Sequence, residues 1–318
     1  MVQEYACQAV APLVGWEQLP APQEKWSFGI PDSEQSQHLH GLITKPEYPL
    51  GREQLESMPA LMVVSSYGTG YDYIDVEAAS DLGILVTHTP EAVVDATAEL
   101  GLTMVLALLR HVVPHTVAMR QQNREGEANP VFASPSMAHD IHGQKVGLVG
   151  YGRVGKRLAD LLRLVGFEVF YTRPHGPVPG HGGFTSLDGL LAVSDFIVVM
   201  TPLSPSTRHL IGREALAQCK PTASLINISR GPCVDEAALI EALLGGKIAA
   251  AALDVFEYEP RISQELIAMP QVILSPHVGT TTWETRMRMT QDAVGNIAEA
   301  LRGHAVNAVN EPEWRRRP

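Results

Sequence analysis

A strand-like apolar run that leads directly into a glycine-rich turn constrains this chain more than any other feature. The turn contains Gly150, Gly152 and Gly155 in the spacing G-x-G-x-x-G, and a helical pattern, Lys156 to Val165, and a second strand-like run, Phe167 to Tyr171, follow it. Glycine lets the backbone turn tightly and approach a diphosphate, and the third glycine lets the helix pack close to its strand. A surface turn would need neither the strand nor the helix, so the pattern predicts a dinucleotide-binding unit.

The end of the second strand-like run bears on the kind of dinucleotide. Proteins that prefer NAD usually carry Asp or Glu about 20 residues past the glycines, where the acid binds the ribose hydroxyls. Residues 170–175 read FYTRPH and contain no acid. An acid would repel the 2′-phosphate of NADP, whereas an arginine can pair with it. We therefore expect Thr172 and Arg173 to contact the cofactor and NADP to be preferred over NAD; the alternative is a solvated arginine beside a proline turn.

Length, charge and cysteine content limit the class of protein. A chain of 318 residues is long enough for two domains with separate cores. The formal charge of −11 argues against a nucleic-acid partner, which would require a basic surface. The three cysteines, Cys7, Cys219 and Cys233, form no CxxC pair, which fits a reducing compartment and offers no metal site.

No segment of the sequence has the pattern of a membrane span or a secretion signal. The first residues lack a basic region followed by an apolar core, and the longest apolar stretch, Leu100 to Leu109, is too short to cross a bilayer. The basic stretch Trp314–Arg317 is expected to be a solvated tail. These patterns predict a cytoplasmic protein with no membrane partner.

Strand-like and helix-like segments alternate along the chain on both sides of the glycine turn. Such alternation is typical of parallel, doubly wound α/β sheets. A long apolar helix is expected from Asp95 to about Val113, ended by Pro114, and residues 121–145 are expected to form a loop. The other expected strands are His40–Thr44, Ala60–Ser65, Ile84–Val86, Phe196–Met200, Ser224–Ile228, Ala249–Leu253 and Val272–Leu274.

Three chemically active side chains follow three of the later strands. Arg230, Glu259 and His277 each lie a few residues beyond a strand-like run. In open parallel sheets ligands bind outside the carboxyl ends of the strands, so these residues are expected at one edge. An arginine can bind the carboxylate of a 2-oxo acid and polarise its carbonyl. A histidine can protonate the developing alkoxide, and a carboxylate can orient that imidazole.

Each of these residues also has an ordinary structural interpretation. His277 after Pro276 could be a turn histidine, Arg230 could cap a strand, and Glu259 could be one of several solvated acids with Glu257. The position of all three after strands, downstream of a dinucleotide loop, favours the catalytic interpretation.

The motifs that carry these residues resemble those of the D-isomer-specific 2-hydroxyacid dehydrogenases. The resemblance runs from about His40 to Asn310, and the first 40 residues match poorly. A further segment, Thr201-Pro202-Leu203-x-Pro205-x-Thr207, is similar to the family's loop beside the nicotinamide. The other motifs are the glycine turn and the segments 227–231 (NISRG), 254–260 (DVFEYEP) and 275–277 (SPH).

The resemblance implies a role for each matching residue. Arg230 would bind the substrate carboxylate and carbonyl, His277 would be the acid/base and Glu259 its partner. Gly68, Thr69 and Gly70 would receive the substrate carboxylate from the other domain through their backbone amides. Residues expected along the cofactor, in addition to the glycines and to Thr172 and Arg173, are Thr97, Arg153, Val154, Thr201, Pro202, Thr207, Ile228, Asp254 and Gly279.

The family fold implies two doubly wound parallel-sheet domains. A Rossmann dinucleotide domain, residues 97–284, would be inserted in a flavodoxin-like substrate domain, residues 1–96 and 285–318. Closure of the two domains would exclude water before hydride transfer. The helix from Asp95 is either a core helix or a dimer contact; in this family it serves the dimer, so a homodimer is expected.

The resemblance is greatest to the glyoxylate and hydroxypyruvate reductase branch, because of residues 65–72 (SSYGTGYD) and the NADP-like Thr172 and Arg173. This branch would reduce a small 2-oxo acid to the D-2-hydroxy acid with NAD(P)H. A larger 2-oxo acid, aromatic or 2-ketogluconate, is the alternative substrate, and a non-catalytic, corepressor-like NAD(H) sensor is the alternative class. Tyr67 and Trp283 could line the substrate pocket, or Tyr67 could be a core aromatic.

Overall fold

The computed structural model describes residues 25–28, 36–122, 128–132 and 135–310. Cys7 and the tail Trp314–Arg317 lie outside the described residues. The described part of the chain divides into two compact units: the described residues up to Val93 with 280–310 form unit 1, and those within Val94–Gly279 form unit 2. The assignment of these units to substrate and cofactor stays a prediction at this point.

Unit 1 contains a parallel sheet of four described strands in the order β1-β2-β3-β4. The strand-like segments expected in this region are confirmed with small shifts at their ends, whereas β1 was not predicted. The four strands run in chain order. The elements are β1 Lys25–Phe28, β2 Leu39–Thr44, α1 Arg52–Glu56, β3 Val63–Ser66, α2 Val76–Asp81 and β4 Leu85–Thr87, with the C-terminal helix, numbered α10 below, at Trp283–Leu301.

Both faces of this sheet are covered, because successive side chains of a strand point to opposite faces. Val63 and Leu85 pack with Met289 and Val294 of the C-terminal helix. Their neighbours Val64 and Val86 pack on the other face with Leu55 of α1 and Ala78 of α2. Burial on two sides explains why every residue of β3 and β4 is buried, rather than every second one.

Unit 2 contains a six-stranded sheet in which every pair of neighbours is parallel, in the order β10-β9-β8-β7-β5-β6. The direction of the strand order reverses at β5, as a doubly wound sheet requires. The α/β fold class is therefore confirmed. The helices and strands of unit 2 are α3 Val94–Leu109, α4 Val112–Gln122, β5 Lys145–Val149, α5 Arg153–Val165, β6 Glu168–Thr172, α6 Leu187–Val193, β7 Phe196–Val199, α7 Arg213–Ala217, β8 Ser224–Asn227, α8 Glu236–Leu244, β9 Ala250–Leu253, α9 Gln264–Ala268 and β10 Val272–Leu274.

The prediction of one helix from Asp95 to Val113 is wrong at its C-terminal end. Helix α3 stops at Leu109, His111 adopts a left-handed backbone with φ of 50°, and α4 begins at Val112. A proline ring clashes with the carbonyl four residues earlier, so Pro114 excludes a continuous helix through Arg110. Within α4 the proline lies in the first turn, where no intrahelical N–H is required. Pro114 thus breaks the helix before itself and then belongs to the next one.

The expected loop 121–145 is shortened by α4, which extends to Gln122, and contains a 3₁₀ turn at Pro130–Phe132. Among the described helices, none is by itself long and apolar enough to cross a membrane. Only α3 and α4 taken together, with a bend of 58° between them, have the required length and composition.

Candidate active site

The glycine turn after β5 has the backbone geometry that its sequence predicts. Gly150 adopts a φ of 105°, and a Cβ atom there would lie 2.8 Å from the carbonyl oxygen of Met200. A Cβ on Gly155 would lie 2.7 Å from the carbonyl oxygen of Gly150. Both positions therefore exclude larger residues, the first by conformation and contact and the second by the close approach of helix α5 to the turn.

Gly152 leaves room for a ligand at the start of helix α5. It is the N-cap of that helix, and a Cβ atom there would meet nothing within 4 Å. The first amides of a helix have no intrahelical acceptor, so those of Arg153 and Val154 suit an anion. The open space over Gly152 and the helix start fit a dinucleotide diphosphate.

Thr172 and Arg173 lie beside this turn. Thr172 ends β6 opposite Val149, and its carbonyl oxygen accepts a hydrogen bond of 3.1 Å from Gly150 N. The preceding Tyr171 stacks on Tyr151 of the glycine turn with ring centroids 3.7 Å apart. Arg173, which is half-buried, therefore starts one residue beyond a segment that is held against the turn.

In the loop that follows β7, one buried hydroxyl has no hydrogen-bond partner within the described residues. Among the described residues, Thr201 Oγ1 has no hydrogen-bond partner although it is buried. Thr207, in contrast, is engaged within the loop, because its Oγ1 accepts from Ser204 N at 2.8 Å and donates to the carbonyl oxygen of Pro202 at 2.6 Å. Thr201 is thus the side chain of this loop that fits a ligand, whereas Thr207 shapes the loop.

Ile228 occupies a position in the core. It is buried with residues of α3 and α5 on one face of the sheet, and its Cδ1 lies 2.9 Å from where a Cβ on Gly101 would be. Its side chain therefore supports the strand end from inside.

Asp254, directly after β9, holds the segment that carries His277. Its carboxylate is buried, with 2% of the residue exposed. One oxygen accepts hydrogen bonds from Ser275 Oγ at 2.6 Å and from Val278 N at 2.8 Å, and the other accepts from Gly279 N at 2.9 Å. A further bond of 2.8 Å joins His277 N to the carbonyl oxygen of Asp254. Thr97 Oγ1 of α3 donates to the carbonyl oxygen of Gly279 at 3.3 Å.

His277 and Glu259 form a hydrogen-bonded pair. His277 Nδ1 lies 3.1 Å from Glu259 Oε2, and Glu259 Oε1 accepts a bond of 2.9 Å from Phe256 N. Burial disfavours the ionised form of Glu259, but the bonds from His277 and Phe256, with the charges of His277 and Arg230, outweigh it and lower the pKa of this carboxyl. A carboxylate on Nδ1 fixes the orientation of the ring and leaves Nε2 to exchange a proton.

Arg230 follows β8 in an extended conformation and is half-buried. Asn227, the last residue of that strand, donates from Nδ2 to the carbonyl oxygen of Arg230 at 3.0 Å. The next residue, Gly231, must lack a side chain, because a Cβ there would lie 1.9 Å from the carbonyl oxygen of Phe256. The segment of Arg230 is thereby packed against the segment of Glu259.

Gly68, Thr69 and Gly70 belong to unit 1 and follow β3. Gly68 has a φ of 147°, and its carbonyl oxygen accepts from Thr89 N at 2.9 Å. Ser66 Oγ donates to the carbonyl oxygen of Gly70 at 2.6 Å, which holds the turn. The loop is ordered by its own hydrogen bonds, and its exposed tip is Thr69.

The two possible pocket aromatics, also in unit 1, have different environments. Tyr67 is buried in the core under α10, and its hydroxyl lies 3.0 Å from Thr290 Oγ1 and donates to the carbonyl oxygen of Arg286 at 3.1 Å. Trp283 is exposed at the start of α10. Tyr67 is therefore a core aromatic with a satisfied hydroxyl.

The comparisons with known proteins agree with this geometry. The family model described as D-isomer specific 2-hydroxyacid dehydrogenase, NAD binding domain, matches residues 102–279. The chain is 42% identical over 265 residues, 81% of each chain, to glyoxylate/hydroxypyruvate reductase B of Erwinia tasmaniensis. It is 38% identical over 273 residues, 83% of this chain and 80% of the relative, to glyoxylate reductase of Pyrococcus horikoshii.

Solved structures show the same similarity. The NADPH-dependent glyoxylate/hydroxypyruvate reductase of Sinorhizobium meliloti, in complex with NADP and malonate, superimposes with a TM-score of 0.83 at 29% identity, covering 93% of this chain and 99% of that one. The chain belongs to the D-isomer-specific 2-hydroxyacid dehydrogenase family. The dehydrogenase is accordingly an oxidoreductase that uses a nicotinamide dinucleotide.

Different histidines contact Glu257 and Glu259. The strand pattern alone left both as possible solvated acids, whereas the resemblance implied Glu259 as the partner of His277. Glu259 contacts His277, whereas Glu257 is directed into the protein, with 7% of its side chain exposed, and its Oε1 lies 2.7 Å from His209 Nε2. Neither acid of the dehydrogenase is a freely solvated side chain. His209 and Glu236, which also bonds to Glu257, were not found from the sequence, since no pattern links a loop histidine at 209 to an acid at 257.

Replacement of Asp254 by Asn is expected to loosen the segment that carries His277 in the dehydrogenase. Asn offers one acceptor oxygen instead of two, so an amide N–H would face either Gly279 N or Val278 N. Loss of a buried, charge-assisted bond costs about 1–3 kcal/mol, which urea unfolding would measure.

Ser275→Ala is the matched control, because it removes one hydrogen bond to Asp254 and leaves both backbone contacts in place. A free energy of unfolding that is equal in Asp254→Asn and in the wild type would contradict the anchoring role.

Proposed function

We propose that this dehydrogenase reduces glyoxylate and hydroxypyruvate to the D-2-hydroxy acids, with NADPH as the preferred reductant. The observation that carries the proposal is the Glu259–His277 pair at 3.1 Å, on a segment packed against that of Arg230. An orienting carboxylate, an acid/base imidazole and a guanidinium suit the reduction of a 2-oxo acid. The names of the similar reductases from Erwinia tasmaniensis and Pyrococcus horikoshii support the same substrates.

In the proposed reaction, Arg230 binds the substrate carboxylate as a planar fork and polarises the neighbouring carbonyl. A nicotinamide, when bound, would supply the hydride to the carbonyl carbon. His277 donates the proton from Nε2 to the carbonyl oxygen, so that the product is a hydroxy acid. Glu259 remains ionised at neutral pH, since its pKa is lowered, and stabilises the imidazolium before the proton leaves.

The residues proposed to hold the cofactor fall into two groups. Some have open or ligand-compatible atoms, namely the glycine turn at 150, 152 and 155, the helix start at Arg153 and Val154, Arg173 beside Thr172, and Thr201. Others act by shaping the site, and these are Thr97, Pro202, Thr207, Ile228, Asp254 and Gly279. Contact of Gly68, Thr69 and Gly70 with the substrate also remains a proposal, as does a location in the cytoplasm.

Initial rates of NADPH and NADH oxidation with four acids test the proposed substrates. Hydroxypyruvate and glyoxylate are expected to be turned over fastest, and hydroxyphenylpyruvate and 2-ketogluconate represent the larger alternatives. Faster turnover of one of the larger acids would contradict the proposed substrates and indicate a reductase of larger 2-oxo acids. No turnover of any acid, with cofactor still bound, would overturn the proposed function and favour a sensor.

The variant His277→Gln is expected to lose about 10²- to 10⁴-fold in kcat, the range that a general acid contributes. Cofactor affinity, measured by quenching of intrinsic fluorescence, should be unchanged. His304→Gln, which alters an exposed histidine paired with Glu299, is the control and should keep full activity. Unchanged turnover in His277→Gln would remove this residue from the mechanism.

The variant Arg173→Ala is expected to raise the KM for NADPH about 10- to 100-fold and to leave that for NADH nearly unchanged. The lost contact, a hydrogen-bonded ion pair with the 2′-phosphate, is of the size that corresponds to about 1.5–3 kcal/mol. Arg157→Ala, an exposed arginine of α5 that pairs with Asp95, is the control. A wild-type kcat/KM for NADH that equals or exceeds that for NADPH would contradict the preference.

A homodimer is proposed from the apolar side chains that unit 2 exposes. Helix α4 buries none of its residues within the chain, and Val112, Phe132 and Met137 are largely exposed. Large apolar side chains that are exposed in one chain can be covered by association with a second copy. Light scattering at micromolar concentration is expected to give twice the chain mass of 34.5 kDa, and a mass near 34.5 kDa would count against the dimer.

A further inference from the structure

A second acid–imidazole cluster contains Glu257, two residues before Glu259 of the proposed catalytic pair. We define it as the clasp, formed by His209, Glu236 and Glu257. Glu257 Oε1 lies 2.7 Å from His209 Nε2, and Glu257 Oε2 accepts a bond of 3.1 Å from Glu236 N. The bond is returned, because Glu257 N donates to Glu236 Oε2 at 3.1 Å. An ionised carboxylate only accepts, so His209 donates from Nε2.

The clasp joins three separate segments of unit 2. His209 belongs to the loop after β7, Glu236 begins helix α8, and Glu257 lies in the segment after β9. The backbone of His209 adds a further link, since its N donates to the carbonyl oxygen of Pro232 at 2.8 Å. Pro232 is two residues beyond Arg230, so the clasp connects the Glu259 segment with the Arg230 segment.

The burial of two acids at one point indicates that the contact matters to the fold of this region. Glu236 is buried, and burial, with the nearby charge of Glu257, raises the pKa of its carboxyl despite bonds from the backbone of Glu257 and Ser263. Two acids in such a place are costly unless their hydrogen bonds are satisfied. His209 and the reciprocal backbone bonds supply these partners.

Phe256 links the clasp to Glu259 and to Gly231, which follows Arg230. Phe256 N holds Glu259 Oε1 at 2.9 Å, and the carbonyl oxygen of Phe256 packs on Gly231. Phe256 is adjacent to Glu257, so the position of Glu257 sets the position of this peptide. We propose that Glu257, held by His209 and Glu236, is a positioning residue that sets the Glu259–His277 pair relative to Arg230. This inference rests on the proposed function of that pair.

A double-mutant cycle tests the inference. Glu257→Gln is expected to lower kcat about 10- to 100-fold, because small misplacements of catalytic groups cost this much, with cofactor affinity unchanged. In a Glu259→Gln background the same change should cost almost nothing further, since the group through which it acts is already lost. Equal losses in both backgrounds would overturn the positioning role.

Two further variants separate positioning from a general loss of stability. The first is His209→Asn, which leaves both acids in place. Asparagine tolerates the left-handed backbone of this position, where φ is 52°. This variant should reproduce the loss of Glu257→Gln and the same dependence on Glu259. The control is Glu241→Gln. Glu241 lies on α8, as Glu236 does, and forms an exposed ion pair with Arg213 of α7, so this change should leave kcat unchanged. Equal losses in the clasp variants and in Glu241→Gln would also overturn it.

The ring resonances of His277 give a readout that does not depend on turnover. They are assigned by comparison with His277→Gln, and they are expected to shift in Glu257→Gln and His209→Asn but not in Glu241→Gln. An inactive wild type would refute the proposed function and leave this coupling measurable. An active wild type with unshifted His277 resonances in the clasp variants would refute the positioning role alone.

Discussion

The site depends on the buried carboxylate of Asp254. Asp254 directly follows β9, and its carboxylate accepts three hydrogen bonds, from Ser275, Val278 and Gly279 on either side of His277. His277 itself has a left-handed backbone with φ of 52°, a conformation that costs about 1–2 kcal/mol for a residue with a Cβ atom. Hydrogen bonds to a charged group contribute about 1.5–3 kcal/mol each. The anchoring by Asp254 therefore exceeds the backbone strain and keeps the imidazole where Glu259 can reach it.

Two acid–imidazole pairs lie within one short segment and have different tasks. Glu259 and His277 are both partly exposed, whereas Glu257 is almost fully buried although its partner His209 is as exposed as His277. The exposed pair can exchange protons with a ligand, whereas the buried carboxylate bonds to backbone and holds segments together. In the proposed account, catalysis and support are thus divided between acids two residues apart.

Much of the fold could be predicted because the patterns are local. Burial on two sides makes strands such as β7 and β9 continuous apolar runs. The glycine turn requires glycine because a Cβ atom would meet the carbonyl oxygen of Met200 or that of Gly150. The predicted end of α3 was wrong because the ring of Pro114 clashes with a carbonyl four residues earlier. A pattern of apolar positions does not show this clash. Strand β1 lies in a region whose sequence gave no comparable pattern.

The site could be predicted only in part, for a related reason. Arg230, Glu259 and His277 follow strand ends, which a sequence shows. The choice of Glu259 over Glu257 came only from the family resemblance, because the strand pattern does not show which way each side chain points. The partners His209 and Glu236 come from other loops, and the ordinary uses of Thr207 and Tyr67 appear only when their hydroxyl contacts are known. Long-range side-chain contacts are set by packing, and no local spacing encodes them.

The most direct test of this account is the fate of the transferred hydrogen and the configuration of the product. Hydroxypyruvate is reduced with two preparations of NADPH, each deuterated on one face of the nicotinamide C4, and the glycerate is analysed for deuterium and for chirality. The account predicts D-glycerate that carries deuterium at C2 from one of the two preparations. L-glycerate would contradict the D configuration of the product, and product without deuterium from either preparation would contradict direct hydride transfer in the proposed site of Arg230, Glu259 and His277.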